Sequence, residues 1–237
     1  MLLRLRNAAA SMADFARRQD QTANNLANAA TAGYRRERAF TRALEARLDA
    51  EGAPRTERRT IAHADLQPGP LDQTGNPLDV ALAGEGFFVV AGADGGARYT
   101  RAGAFTRDAE GTLRTPNGLA VIGADEQPIT LPRGDVAIGV TGEIFVDGQP
   151  VARLRVVTFD DPAVLQRLDQ TTFTATVPAR DLEAPDVRQG FVEASNVNPI
   201  REMTEMIAHF RLFEAQQKML QTTDAALGEV TRTLGRF

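Results

Sequence analysis

The stretch ANNLANAATAGYRRERAF, residues 23–40, ends one structural pattern and begins another. Asn24, Asn25 and Asn28 stand at the close of an amphipathic helical pattern, although asparagine competes for backbone hydrogen bonds and is a mediocre helix former. A polar residue on a packed helical seam costs stability but fixes register, which gives a helix a reason to end this way. Leu26 carries the apolar step between the asparagines, and Gly33 permits the chain to turn out of the helix. Arg35, Arg36 and Arg38 follow as a tight basic cluster with Tyr34 as its one aromatic neighbour, which reads as the solvated start of a loop.

Upstream of this stretch, Leu5, Ala8, Met12, Phe15, Gln19, Thr22 and Leu26 recur at steps of three and four. That is a heptad seam, apolar in its first half and polar in its second, and it predicts an N-terminal helical segment over 1–33. At the other end Met203, Met206, Phe210, Phe213, Gln217, Leu220, Asp224, Leu227, Thr231 and Leu234 keep the same step. In SNVNPIREM, Asn198 is a good N-cap, Pro199 suits the first helical position, and Glu202 places negative charge near the positive end of the dipole. The C-terminal segment, 191–237, is therefore predicted to hold a helix of about 35 residues, roughly 50 Å long at 1.5 Å per residue.

Between the two helical patterns the period becomes two. GFFVVAG, ARYTRAG, TLRTPNG, EIFVDGQPVARLRVVTF and TTFTATV are short β-branched or aromatic runs, separated by turn pairs such as Asn117-Gly118 and Asp147-Gly148. They predict an antiparallel β-rich domain over 77–190, preceded by an extended connector over 34–76 where periodicity is lost. The fold class is α+β: long N- and C-terminal helices paired as a coiled coil, with a central antiparallel β-rich domain. Helices whose seams are only partly apolar offset little of their ordering entropy and call for partners, either each other or other copies. Their contribution to a lone subunit is expected to be small, so both termini are expected to order on incorporation into an assembly.

Composition narrows the chemistry. The chain has 237 residues, a hydrophobic share of 43 %, a net charge of −4 and no cysteine. A core is affordable, nucleic-acid binding is not implied, and disulfides and thiolate chemistry are excluded. No stretch approaches the roughly 20 apolar residues of a membrane span, and the opening residues carry no signal-peptide pattern. His63 and His209 are the two histidines, each without a second at ligand spacing. Gly84 and Gly86 lack a third glycine and a lysine for a phosphate loop. DAEGTL, at 108–113, lacks the ligands of a calcium loop, and Asp160-Asp161-Pro162 reads as a strand-ending turn. No catalytic, cofactor-binding or metal residue is assigned, and the chain reads as a structural protein.

Three blocks carry a resemblance. ANNLANAATAGYRRERAF, then LDVALAGEGFFVV with YTRAGAFTRDAEGTLRTPNG behind it, then GFVEASNVNPIREMTEMI, resemble in order the bacterial flagellar rod and hook family of axial proteins. The short connector and compact length are most similar to its proximal rod members, with the distal rod members next. The resemblance implies an axial basal-body subunit that polymerises helically through its terminal helices and transmits torque across the periplasm. Its implied partners are copies of itself, other flagellar axial proteins and the flagellar type III export apparatus, which would export it without a cleaved signal peptide. No nucleic acid, direct membrane insertion or cofactor is implied. Matched onto this chain, the assembly interface would draw on Asn24, Asn25, Leu26, Asn28, Gly33, Asn196, Asn198, Pro199, Met206, Phe210, Phe213, Leu220 and Leu227. A freestanding coiled-coil adaptor, or an enzyme working through carboxylates, are the competing classes that the residues leave open.

Overall fold

The computed structural model describes the backbone of residues 2–43, 47–48, 54–55, 58–92 and 95–234. Side chains are described over 10–38, 63–92 and 95–223 and at 225, 226, 228 and 232. The chain is α+β and forms two compact units, one of Met1–Ala27, Arg38–Ala62 and Asn198–Phe237, the other of Asn28–Glu37 and His63–Val197.

In the first unit, helix α1 (Leu2–Ala27) packs against helix α2 (Pro199–Leu234), which at 36 residues has the expected length. Asn198 caps α2: its side-chain Oδ1 accepts the Arg201 amide at 3.1 Å and its carbonyl accepts the Glu202 amide at 3.1 Å. Met12, Phe15, Gln19, Thr22 and Leu26 of α1 are all at least half-covered, as the heptad step predicts. On α2 the expected seam is displaced by one residue. Met206, Phe213 and Leu220 are covered, but Met203 and Phe210 are about half exposed and Gln217 is exposed, while Glu202, His209 and Gln216 take their places inward. The covered series 202, 206, 209, 213, 216, 220 obeys the same alternation of three and four, so a second heptad reading competes with the apolar one. The side chains of Leu5, Ala8, Asp224, Leu227, Thr231 and Leu234 lie outside the described ones.

Within the stretch expected as an extended connector, Glu37–Ala43 pairs with Arg58–Ala64, and Arg47–Leu48 pairs antiparallel with Pro54–Arg55. The chain there is extended, but as paired strands.

The β unit runs past the boundaries expected at 77 and 190, because Leu71–Gln73 pairs antiparallel with Phe191–Glu193. Its main sheet has six strands in the order Leu165–Arg167, Thr172–Ala175, Ala97–Thr100, Phe87–Ala91, Val156–Thr158 and Arg180–Asp181, antiparallel throughout. The near-continuous apolar run FFVV explains the position of Phe87–Ala91 near the sheet's middle. Side chains alternate across a strand, so Phe88 and Val90 enter a core with Val80, Leu113, Val121 and Ile144, while Phe87 and Val89 enter another with Tyr99, Phe159 and Phe173. A second, three-stranded antiparallel sheet joins Val136–Ile138, Glu143–Val146 and Gln149–Arg153. Its hairpin turns at Asp147 and Gly148, both left-handed at φ 50° and 77°, as an Asp-Gly two-residue turn requires.

The other sequence signals resolve as turns. Asp108 Oδ1 accepts the amides of Glu110 and Thr112 at 3.1 and 2.7 Å, closing the DAEGTL loop around one aspartate. Asp161 Oδ1 accepts the Ala163 amide at 2.9 Å and caps a short 3-10 turn that begins at Pro162.

Candidate assembly site

The asparagines that open the sequence question have separate duties. In the helical unit Asn25 is buried and donates from Nδ2 to Glu202 Oε2 at 3.3 Å, tying α1 to α2 within one subunit. That bond sets the end of α1 beside the start of α2, so the two helices run antiparallel. Asn24 is exposed. Asn28 belongs to the β unit, where its carbonyl accepts the Thr31 amide at 3.1 Å and closes the turn that follows α1.

The seam between the helices is polar for its size. Thr22 is buried with its hydroxyl bonded back to the Arg18 carbonyl at 2.9 Å, and Gln21 Nε2, His209 Nδ1 and Gln216 Oε1 are buried atoms with no hydrogen-bond partner among the described residues. Buried polar atoms without partners are destabilising by about 1–3 kcal/mol each. Beside Met206, Phe213 and Leu220 in the seam, other apolar side chains of α2 lie outside it. Ile200, Met203, Ile207 and Phe210 form a stripe at steps of three and four with 77, 52, 55 and 49 % of their surfaces exposed. Of the residues expected at the interface, Phe210 belongs to this outward stripe, whereas Met206, Phe213 and Leu220 belong to the covered seam.

In the β unit, sequence reasoning missed a buried charge cluster. Arg35, expected in solvent, is wholly buried, because its Nη1 lies 2.6 Å from Glu193 Oε1 and donates to the Gln67 carbonyl at 2.9 Å. Arg101 approaches the other carboxylate oxygen, donating from Nη1 to Glu193 Oε2 at 3.3 Å and from Nη2 to the Gly84 carbonyl at 2.8 Å. Burial drives the Arg101 pKa down to about 10, with the attraction of Glu193 acting in the opposite direction. Arg167 donates from Nη2 to the Arg35 carbonyl, and its guanidinium lies over the rings of Tyr34 and Phe173 at 4.8 and 5.2 Å. Burial lowers the Arg167 pKa as well. Its Nε lies 2.8 Å from Glu37 Oε1, an ion pair without hydrogen-bond alignment.

Gly33 and Asn196 belong to this same unit. Gly33 has φ 72° and donates its amide to the Glu193 carbonyl at 2.7 Å; a Cβ there would stand 2.3 Å from the Ala102 nitrogen. Asn196 Oδ1 accepts the Arg36 amide at 2.6 Å, while its Nδ2 donates to the carbonyls of Asp65 and Gln67, each at 2.9 Å. The one sequence signal for the cluster was faint: Glu193, a single charge in the strand-like run GFVEA.

Three family models match in chain order: "Flagella basal body rod protein" over residues 5–35, "Flagellar hook protein FlgE/F/G D1 domain" over 81–146, and "Flagellar basal body rod FlgEFG protein C-terminal" over 188–233. Among curated proteins, the flagellar basal-body rod protein FlgF of Caulobacter vibrioides is 35 % identical over 232 residues, covering 93 % of each chain. The chain belongs to the flagellar basal-body rod protein family. Other members that it resembles are FlgF of Salmonella typhimurium, 37 % identical with 91 % of this chain and 92 % of that one covered, and FlgG of Agrobacterium fabrum, 33 % identical with 90 % and 92 % covered. In this rod-family chain, Arg35, Arg101 and Glu193 fall one in each of the three matched regions. No described helix is long and apolar enough to cross a membrane.

Proposed function

We propose that this chain is a structural subunit of the flagellar basal-body rod, of the FlgF, proximal kind, and that it is not an enzyme. The observation that carries the reading is the match to FlgF proteins over nine-tenths of both chains, in a molecule whose first and last segments are helices packed on one another. The α1–α2 pair acts as a coiled-coil element of the assembly, supported by the heptad alternation of the covered residues. Copies of the same chain and other axial proteins of the basal body take the outward face of α2, where Ile200, Met203, Ile207 and Phe210 leave apolar surface in water. Asn24, Leu26, Pro199 and Leu227 fall on the two helices and are assigned to the assembly interface. The subunit leaves the cytoplasm through the flagellar type III apparatus and transmits torque in the periplasm as part of a helical polymer.

A distal, FlgG-like place in the rod is the second reading, favoured by the 33 % identity to the Agrobacterium protein. Cryo-electron microscopy of basal bodies from the source organism separates the two. Axial density for this chain at the base of the rod supports the FlgF reading, and density directly beneath the hook supports the FlgG reading. Intact basal bodies lacking the chain would overturn both.

A further inference from the structure

Four segments distant in sequence converge on the Glu193 carboxylate. Arg35 brings the incoming segment, Gly69 brings the return of the connector through its amide bond to Oε1 at 2.8 Å, Arg101 brings the end of a main-sheet strand, and Glu193 itself lies on the outgoing segment. Asn196 repeats the tie one turn of chain later by joining Arg36 to Asp65 and Gln67. As a source of stability this arrangement is poor. Two guanidinium groups share one carboxylate out of water, and Arg35 Nε and Nη2 and Arg101 Nε make no hydrogen bond among the described residues. Apolar residues of similar volume commonly do as well or better in such places, whereas removal of one charged partner is strongly destabilising. What a buried ionic cluster supplies is geometry: it is satisfied in one arrangement, and apolar packing is not so selective.

We propose that Arg35, Glu193 and Arg101 form a registry lock, which makes docking of the incoming segment, the connector's return and the outgoing segment onto the rest of the β unit one all-or-none event. The incoming segment docked without the outgoing one would bury Arg35 beside Arg101 with no carboxylate, the outgoing segment docked alone would leave Glu193 with one of its two arginines, and the connector's return would lack the carboxylate oxygen that its Gly69 amide bonds. The lock is a property of the folded subunit and does not depend on the rod reading.

The test is hydrogen exchange and thermal unfolding of the full chain. The reporters are the amides of Gly33, Arg36, Asp65 and Gly69, each of which donates a hydrogen bond inside the cluster. Glu193→Gln keeps the shape and removes the charge. It is expected to lower the Tm and to speed exchange at all four amides by one common factor, about tenfold or more, while the Val80 and Ile122 amides stay protected. The apolar triple Arg35→Met, Arg101→Met, Glu193→Leu is expected to regain the wild-type Tm and yet keep those four amides fast. Gly69 loses its acceptor in the triple whatever the mechanism, so wild-type protection there at Gly33, Arg36 and Asp65 would overturn the lock, as would amides that respond to Glu193→Gln by unrelated factors. Should the triple not fold, Arg35→Lys serves, since it keeps the charge and loses the guanidinium geometry. A smaller but still common acceleration is expected, and independent responses would again overturn it.

Discussion

At Gly33 two constraints coincide: a left-handed backbone and a main-chain neighbour, Ala102, where any side chain would have to go. The left-handed conformation alone costs a non-glycine residue about 1–2 kcal/mol, and backbone on both sides of the clash leaves little room to yield. Gly33→Ala should therefore destabilise the β unit by about 2 kcal/mol or more, read as a lower urea midpoint at unchanged slope. An unchanged midpoint would show that the segment 28–37 can undock without cost. Asp108 supports a different prediction. The hydrogen bond from Arg114 is the leading cause that holds its carboxyl below the usual aspartate range, with the Thr112 and Glu110 amides acting in the same direction. A carboxylate with a depressed folded pKa contributes stability that is complete above the unfolded value, about 3.9, and is lost as pH falls through the lower folded value. Asp108→Asn should therefore lower the Tm near neutral pH and leave the Tm less dependent on pH below about pH 4 than in the parent. Parallel Tm curves for the two proteins across the acid range would remove Asp108 from the acid response.

The helices and strands show which signals a sequence exposes. The Asn198 cap, Pro199 behind it, the Asp147-Gly148 hairpin and the period-two runs were legible because each depends on residues a few positions apart. The α2 seam was misread because Met203 and Phe210 are the more apolar choice at their positions, while the covered face takes Glu202, His209 and Gln216. Asn25 explains the choice in part, since its bond to Glu202 rewards a polar inward face. The buried Arg35–Glu193 pair was illegible for a different reason. Its two halves lie near opposite ends of the chain, and nothing local distinguishes a paired arginine from a solvated one. Asn25→Leu should accordingly weaken the helix pair by about 1–3 kcal/mol, because it strips a buried carboxylate of a donor. The loss should appear as faster amide exchange along α1 and the start of α2, with main-sheet amides unchanged. Equal, measurable protection in parent and variant would show that the Asn25–Glu202 bond does not hold the pair.

For the whole molecule, the distribution of polarity over the two helices makes the argument for assembly. A helix pair that mixes Gln21, His209 and Gln216 with Met206, Phe213 and Leu220 inward, and leaves Ile200, Met203, Ile207 and Phe210 outward, has more apolar surface in water than a pair built to stand alone needs. Burying an aliphatic or aromatic side chain completely is worth about 1.5–3 kcal/mol, so a neighbour that covers the stripe gains a part of that from each of its four residues. Placing a charge at the centre of that stripe should then separate folding from assembly. Ile207 is already 55 % exposed, so Ile207→Asp should change the stability of the purified monomer by no more than about 0.5 kcal/mol. In the covered state the same aspartate would be buried without a cation, at a cost of several kcal/mol, enough to exclude the subunit from the rod. A deletion strain complemented with Ile207→Asp should therefore express and export the protein yet fail to swim, with basal bodies that lack the chain. Normal swimming halos from that strain would show that the stripe faces water in the finished rod, and the contacts between subunits would have to be sought on the β unit.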